Sequence, residues 1–262
     1  MGPTASLALD VLRRAGHVDR ADAPELPSID DLAAIRQHEF DAIGVPRAAR
    51  HARWVLSLAD ARLALVELAS STDAVVLDVD GRRRFRRRSI HFDTDDLEFY
   101  RAALRRRPDR AKVRIREYPD AGRAFVDVTV NDRHGRRTSR RLEIDSDHHD
   151  RLDIDACRFV DTALADVGTA RVLRPTAHTE SVRTKLLDRM DGSRATLDTA
   201  YRCEELRPER GRRSSALDGV IVEATGGPRR SALAEHLRRR GVRPGRLTRN
   251  AGVNLELRFE RG

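Results

Sequence analysis

Hydrophobic and polar residues alternate along several segments of this chain, with the period of two that is typical of β-strands. The clearest case is the segment 110–118, RAKVRIREY, in which Val113 and Ile115 occupy one face. The opposite face of this predicted strand carries Lys112, Arg114, Arg116 and Tyr118. Like charges on one face repel one another, so this pattern favours an anionic partner. Further strands are predicted at 50–58, 74–79, 86–92, 124–130, 139–145, 181–188, 193–204, 218–225 and 253–259.

Helical spacing of apolar residues and capping signals predict helices between these strands. One predicted helix begins at the N-cap Ser28 and ends at Gly44. Another follows the capping residues Asp93 or Thr94 and ends before Pro108. The remaining predicted helices lie near 7–12, after Ser57, from 145 to 167 and at 231–241.

The order of the predicted elements favours an α+β fold. Many strands joined by short turns, which favour antiparallel pairing, together with few helices are typical of a curved sheet or a barrel. The regular βαβ alternation of a doubly wound fold is absent. Residues 1–46 are predicted to form an N-terminal helical extension, and residues 47–262 one domain that contains the strands.

Several predicted strands carry polar residues on one face only. Asp127 and Thr129 do so in one strand, and Glu223 and Thr225 do so in another, where Glu223 is the lone acid. Two interpretations remain open: a barrel with a polar interior and helices outside, or a sheet with one face in solvent.

The chain is basic, with a net charge of +9 from 51 lysines and arginines and 42 acidic residues. The lysines are Lys112 and Lys185, so nearly all positive charge is arginine, which suits bidentate contacts with phosphate. Nucleic acid is one anionic partner, but three tyrosines and one tryptophan offer little base stacking, and no helix-turn-helix or RNP-like pattern occurs. The arginine run 82–88, RRRFRRR, fits a phosphate clamp or, more commonly, a solvated hairpin.

Several common classes of site find no support in the sequence. No GxGxxG, Walker A, HExxH or GxSxG motif occurs. Cys157 and Cys203 lack CxxC spacing, which indicates neither a zinc site nor a disulfide framework and predicts a cytoplasmic location. No apolar run approaches the ~18 residues of a transmembrane helix, so none is predicted.

The segment 89–118, SIHFDTDDLEFYRAALRRRPDRAKVRIREY, resembles the signature of the VTC domain, the polyphosphate polymerase domain of the triphosphate tunnel (CYTH-like) superfamily. The family pattern there reads S-L-Y-F-D-T, then a helix that begins D-x-x-x-Y, then K-V-R-I-R-x-Y. Weaker correspondences extend from about Arg50 to Asn250, which covers most of the chain outside the N-terminal helices.

This resemblance implies an antiparallel β-barrel, the triphosphate tunnel, flanked by helices and lined by basic residues. In the family, the tunnel binds a triphosphate, and a divalent metal (Mn²⁺ or Mg²⁺) held by a glutamate assists transfer of the γ-phosphate to polyphosphate. The implied partners are ATP or another nucleoside triphosphate and inorganic polyphosphate. Some family members work beside membrane subunits, so any membrane partner of this chain would be another, unknown protein.

Matching the family motifs residue by residue implies roles for individual side chains. The implied catalytic residues are Arg114, Arg116, Arg140 and Arg194. The implied substrate-binding residues are Arg53, Lys112, His178, Arg183 and Arg249. Glu223, in VIVEAT, matches the metal-binding glutamate.

The chain also departs from the family pattern. The lysines of two E-x-K motifs are replaced by Thr129 and Thr225, and His178 stands where the family has arginine. Threonine cannot supply the lost charge, and catalysis in such a site depends on charge neutralisation. The sequence therefore leaves open a polyphosphate polymerase, a degenerate tunnel that binds polyphosphate or triphosphate without turnover, and, third, a nucleic-acid-binding protein.

Overall fold

The computed structural model describes residues 29–44, 50–71, 73–105, 107–134, 136–145, 151–165, 172–207, 214–226 and 232–244. The predicted helix near 7–12, the predicted strand 253–259 and Arg249 lie outside these residues. Eleven described strands form one sheet. None of the helices within the described ranges is long and apolar enough to cross a membrane.

The elements agree with most of the predicted ones, although β8 begins at Arg174 rather than at Ser181. The strands are β1 (Ala33–Arg36), β2 (Arg50–Leu56), β3 (Ala74–Asp78), β4 (Phe85–Asp93), β5 (Arg110–Tyr118), β6 (Arg123–Asn131), β7 (Arg137–Ile144), β8 (Arg174–Asp188), β9 (Arg194–Glu205), β10 (Ser214–Ala216) and β11 (Val220–Gly226). The helices are α1 (Gln37–Ala42), α2 (Leu58–Ser71), α3 (Glu98–Leu104), α4 (Ile154–Leu164) and α5 (Ala232–Arg239).

The main path of the sheet runs β2-β11-β9-β8-β4-β5-β6-β7, and all neighbours on this path are antiparallel. β3 pairs with β8, β10 pairs with β9, and β1 joins β3 in parallel. The predicted α+β fold with a large antiparallel sheet is therefore confirmed. Within the described residues the end strands β2 and β7 do not pair with each other, so hydrogen-bonded closure of the barrel is not found there.

The two faces of the sheet differ in polarity. We call the face that carries Arg114 and Arg116 the inner face, and the opposite one the outer face. On the outer face, one apolar cluster packs α2 and α5 against β2, β9 and β11, and a second packs α3 and α4 against β4, β5 and β6. Each large apolar side chain buried in this way stabilises the fold by ~1.5–3 kcal/mol. Helices α2 to α5 thus cover the outer face, and polar side chains of the strands named here lie on the inner face.

The segment predicted as one helix ending at Gly44 contains β1 followed by the short α1. β1 runs parallel to β3 with Ile35 opposite Leu77, and both side chains are buried in one small apolar cluster. This pairing outweighs the local helix propensity. The helical prediction is therefore wrong for residues 33–36, and the domain boundary near residue 46 stays a prediction.

Within the arginine run 82–88, Arg83 attaches the chain before β1 to the sheet. Arg83 is therefore neither part of a solvated hairpin nor part of a phosphate clamp. The Nη1 atom of Arg83 donates to three backbone carbonyl oxygens, and its Nε lies 3.3 Å from Oδ2 of Asp78. The three acceptors are the carbonyl oxygens of Ile29, Asp30 and Leu32, at 3.2, 2.8 and 3.2 Å. Arg83 is therefore a structural residue of this turn.

We expect Arg83→Ala to lower the free energy of unfolding by about 2 kcal/mol, because it leaves these carbonyl oxygens without a charged donor. Urea unfolding followed by circular dichroism measures the loss. Arg84→Ala is the matched control, since Arg84 forms one surface ion pair with Asp30, at 2.9 Å, worth about 0.5 kcal/mol. Equal losses in the two variants would contradict this role of Arg83.

Candidate functional site

A cavity of about 470 Å³ lies on the inner face of the sheet. Arg53 of β2 and Arg137 of β7 both line it, although these strands lie at opposite ends of the sheet path. The sheet must therefore curl around the cavity. Because side chains alternate along each strand, inner-face residues of strands far apart on the path converge there.

The wall of the cavity is strongly basic. The cations that line it are Arg53, Arg87, Arg110, Lys112, Arg114, Arg116, Arg137, Arg183 and Arg194. Among the described residues that line the cavity, Glu223 is the only acid. Charges of one sign in a concave, poorly solvated site attract ions of the opposite sign more strongly than the same charges on an open surface. The cavity is therefore suited to an anion with several charges.

β5 presents its polar face to the cavity, as its alternation predicts. Lys112, Arg114 and Arg116 line the cavity. Val113 and Ile115 are buried in the outer apolar cluster, to which α3 and α4 also contribute. The assignment of these five residues to two faces is confirmed.

Asp127 of β6 is a buried carboxylate shared by three arginines. Its Oδ2 lies 3.2 Å from Nη2 of Arg114 and 2.9 Å from Nη2 of Arg116. Its Oδ1 accepts a hydrogen bond from Nε of Arg141 at 2.7 Å. Arg114 and Arg141 are the cross-strand neighbours of Asp127 on β5 and β7. One negative charge thus holds three guanidinium groups near fixed positions and offsets their repulsion.

Asp198 of β9 holds a second group of arginines. It is fully buried and accepts two hydrogen bonds from Arg183, from Nε and from Nη2, both 2.6 Å long. Nη2 of Arg87 lies 3.4 Å from Oδ2 of Asp198. Burial alone would lower the pKa of Arg183, but the charge of Asp198 and its hydrogen bonds outweigh burial and raise that pKa. Arg183 is therefore a fixed cation of the wall.

Glu223 of β11 lies opposite Arg53 of β2, and Nη2 of Arg53 donates to its Oε1 at 3.0 Å. The described residues contain no cluster of three metal-ligating side chains. Mg²⁺ and Mn²⁺ prefer oxygen ligands, and Mg²⁺ is commonly bound by one or two carboxylates together with substrate phosphates. The cavity therefore fits a cation shared between Glu223 and a phosphate ligand, rather than one held by protein ligands alone.

Arg194 of β9 connects the cavity to the segment before β2. It lines the cavity, and its Nη2 donates to the carbonyl oxygens of Phe40 and Ile43 at 2.8 and 2.6 Å. Its guanidinium carbon lies 4.5 Å from the centroid of the Phe40 ring, which adds a cation–π contact. Arg194 therefore belongs to the site and also holds this segment in place.

Two predicted site residues lie on the outer face. Arg140 is opposite Val128, a member of the outer apolar cluster, and its Nη1 lies 3.5 Å from the carbonyl oxygen of Thr162 in α4. His178 is buried opposite Ile90 of the same cluster. The register of β7 and β8 thus turns both side chains away from the cavity, so the structure does not bring Arg140 or His178 to it.

Three cations of the wall were not predicted from the sequence, namely Arg87, Arg110 and Arg137. A period of two in the predicted strand 86–92 was the signal for Arg87, because it puts alternate residues of that strand on one face. No comparable signal existed for Arg137, since arginines occupy both faces of its strand.

Thr129 and Thr225 both line the cavity. The family pattern has lysines at these two positions. The wall of the cavity therefore lacks two positive charges that the pattern would place there. The hydroxyl groups of Thr129 and Ser139 lie 3.2 Å apart across β6 and β7 and satisfy each other.

His91 of β4 is a buried titratable side chain close to the cationic wall. Its Nε2 lies 3.4 Å from Oγ1 of Thr179. Burial lowers the pKa of His91 well below its usual value, and the charges of Lys112 and Arg87 lower it further. The imidazole is therefore neutral in the folded protein at neutral pH.

We expect His91→Gln to make stability less dependent on pH below about 6.5, where histidine in an unfolded chain takes up a proton. Folded His91 does not take it up until its own, depressed pKa is reached. Acid therefore favours the unfolded state by up to ~1.4 kcal/mol per pH unit in this window, and the effect vanishes at higher pH.

Urea unfolding of both proteins at about pH 7.5 and about pH 5.5 measures this difference. The wild-type protein should lose more stability than the variant between the two conditions. Equal losses would contradict a neutral, buried His91.

A model of the family described as VTC domain matches residues 48–261 of this chain. Among curated proteins, none matches the sequence.

Several solved structures resemble the chain at low sequence identity. A candidate adenylate cyclase from Bacillus halodurans has 15% identity and a TM-score of 0.45, over 78% of this chain and 94% of that one. A candidate adenylyl cyclase from Hippeastrum, described as having a dominant triphosphatase activity, has 14% identity and a TM-score of 0.43, over 76% and 91%. A candidate adenylate cyclase from Vibrio parahaemolyticus has 12% identity and a TM-score of 0.40, over 74% and 84%.

Proposed function

The chain belongs to the VTC domain family, and from this premise we propose that its cavity binds a nucleoside triphosphate and transfers the γ-phosphate to inorganic polyphosphate. The observation that supports this proposal is the wall of the cavity, where nine cations face one lining carboxylate among the described residues. A chain of phosphates is an anion whose charge and extended shape suit such a wall.

Arg114 and Arg116 are proposed to contact the phosphoryl group that is transferred. Asp127 already holds both guanidinium groups, so their charge need not reorganise when negative charge develops on the phosphoryl oxygens. Arg183, held by Asp198, is proposed to contact a neighbouring phosphate. Charges fixed in this way act more strongly on the transition state than mobile side chains do.

In the proposed reaction, an oxygen of the terminal phosphate of polyphosphate attacks the γ-phosphorus of the nucleotide. The bond from that phosphorus to the β–γ bridging oxygen breaks, and its electron pair stays on the β-phosphate. The products are a nucleoside diphosphate and a polyphosphate longer by one unit. The attacking oxygen is already ionised, so positioning and charge neutralisation provide the catalysis.

Glu223 is proposed to hold a Mg²⁺ or Mn²⁺ ion, which would act as a Lewis acid on the phosphate oxygens. Arg53 donates a hydrogen bond to this carboxylate, which fixes its orientation. Lys112 and Arg194 are proposed to bind phosphates further along the wall. A cytoplasmic location and a membrane partner protein stay predictions.

Binding without turnover is a second candidate function. Thr129 and Thr225 favour it, because they leave two positions of the wall without the charge that the family pattern places there. Arginines at the other positions would still bind a polyphosphate chain.

We expect the double variant Arg114→Ala, Arg116→Ala to make no polyphosphate, because removing one preorganised donor already costs ~10²-fold or more in rate. The assay incubates the purified chain with ATP and Mn²⁺ and detects polyphosphate on a gel. Arg202→Ala, an exposed arginine of β9, is the control and should retain activity. Wild-type activity in the double variant would overturn the assignment, whereas tight triphosphate binding by the wild-type chain without polymer would select the binding function.

Arg137 and Arg140 provide a matched pair on β7. Arg137 lines the cavity and Arg140 faces α4, so Arg137→Ala should weaken binding of inorganic tripolyphosphate by about tenfold, the loss of one charge-assisted hydrogen bond. Arg140→Ala should leave the affinity within about twofold of the wild-type value. Isothermal titration calorimetry measures both, and a larger loss for Arg140→Ala would contradict the assignment of faces.

A further inference from the structure

Both lysines of the chain belong to strands whose inner face forms the cavity wall. The sequence contains 51 lysines and arginines, and only Lys112 and Lys185 are lysines. Lys112 lines the cavity. Lys185 belongs to β8, and neither the proposed reaction nor the family pattern assigns it a role.

The register of β8 places Lys185 on the inner face beside residues that line the cavity, although Lys185 itself is not one of the lining residues. Arg183, two residues earlier, lines the cavity, and so does Thr196, the cross-strand neighbour of Lys185 on β9. Leu187, two residues later, belongs to the apolar cluster that contains Leu77. Lys185 therefore lies between residues of the cationic wall and the apolar cluster that contains Leu187.

Lys185 lacks an acidic partner of the kind that fixes several cations of the wall. It is partly buried, and it makes no hydrogen bond or ion pair with another residue of the described ranges. Arg183 and Arg53, by contrast, are paired with Asp198 and Glu223. An ammonium group in such surroundings is costly unless an anion accompanies it.

Burial and the neighbouring charges also disfavour the protonated amine of Lys185 in the absence of an anion. Burial lowers the pKa of its amine, and the charges of Arg183 and Arg116 lower it further, although Tyr118 and Asp41 act in the opposite direction. A bound phosphate would offset both the burial and the neighbouring positive charges.

We propose that Lys185 binds a phosphate group of the ligand and extends the anion site along the inner face, beyond the lining residues Arg183 and Thr196. This inference rests on the proposed function, because the ligand it requires is the polyphosphate or triphosphate chain. Lys185 supplies a cation to the inner face, where Thr129 and Thr225 supply none. A compact ammonium group can contact oxygens of successive phosphates without the fixed geometry of a guanidinium group.

The lysine content of the chain allows a direct test. Reductive methylation with ¹³C-formaldehyde keeps the charge of each amine and labels only Lys112, Lys185 and the N-terminal amine. The variants Lys112→Arg and Lys185→Arg assign the two lysine signals in a ¹H–¹³C spectrum. Inorganic tripolyphosphate is then titrated into the labelled full chain.

We expect both lysine signals to shift with one dissociation constant, and the pKa of Lys185 to rise on binding. A shift of Lys112 without a shift of Lys185 would overturn the role of Lys185 and leave the proposed function standing. If neither signal shifts, the proposed function fails together with the inference. The two failures are therefore distinguishable.

A variant provides the second measurement. Lys185→Met keeps the length of the side chain and removes its charge, and we expect about a tenfold loss of affinity for tripolyphosphate, as for one charge-assisted hydrogen bond. Arg202→Met on the adjacent β9 is the control for net charge and should bind within about twofold of the wild-type protein. Thermal unfolding without ligand should not fall in Lys185→Met, since no acid of the described ranges pairs with this amine. Unchanged affinity would overturn the proposal.

Discussion

Arginines that line one wall repel one another, and the site depends on the way in which buried carboxylates offset this repulsion. Asp127 lies among Arg114, Arg116 and Arg141, and Asp198 lies beneath Arg183 and Arg87. Each carboxylate is an inner-face residue directly opposite an arginine of the neighbouring strand. The register of the sheet therefore places the counter-charges, and it does so without filling the cavity.

The inner face therefore carries two kinds of cation. Arg114, Arg116 and Arg183 are fixed by carboxylates, so their positions are set before any ligand enters. Lys185 is instead placed by backbone register, and within the described ranges it forms no ion pair with an acid. Fixed cations suit the phosphoryl group whose charge changes during a reaction, because they need not move. A cation that lacks its own counter-charge suits a phosphate that only binds.

Strand periodicity predicted the part of the site that depends on alternation. It assigned Lys112, Arg114 and Arg116 to one face because valine and isoleucine separate them, and the structure confirms this. It could not decide on β7, where Arg140 and Arg141 are adjacent and either could face inward, and the match to the family motif selected Arg140. Only pairing with β6 decides between them, because Arg141 lies opposite Asp127 and Arg140 opposite Val128. Pairing with β3 likewise makes residues 33–36 a strand, which local propensity could not indicate.

The segment before β2 is coupled to the site through single arginines. Arg83 connects the first residues of this segment to the sheet by donating to backbone carbonyl oxygens. Arg194 lines the cavity and donates to carbonyl oxygens near the end of the segment. Arg194 cannot turn fully toward a ligand without giving up its bonds to Phe40 and Ile43. An anion that draws Arg194 inward must therefore offset those two hydrogen bonds and the contact with the Phe40 ring. Binding of an anion in the cavity and attachment of this segment to the sheet are therefore linked equilibria, because both use the guanidinium group of Arg194.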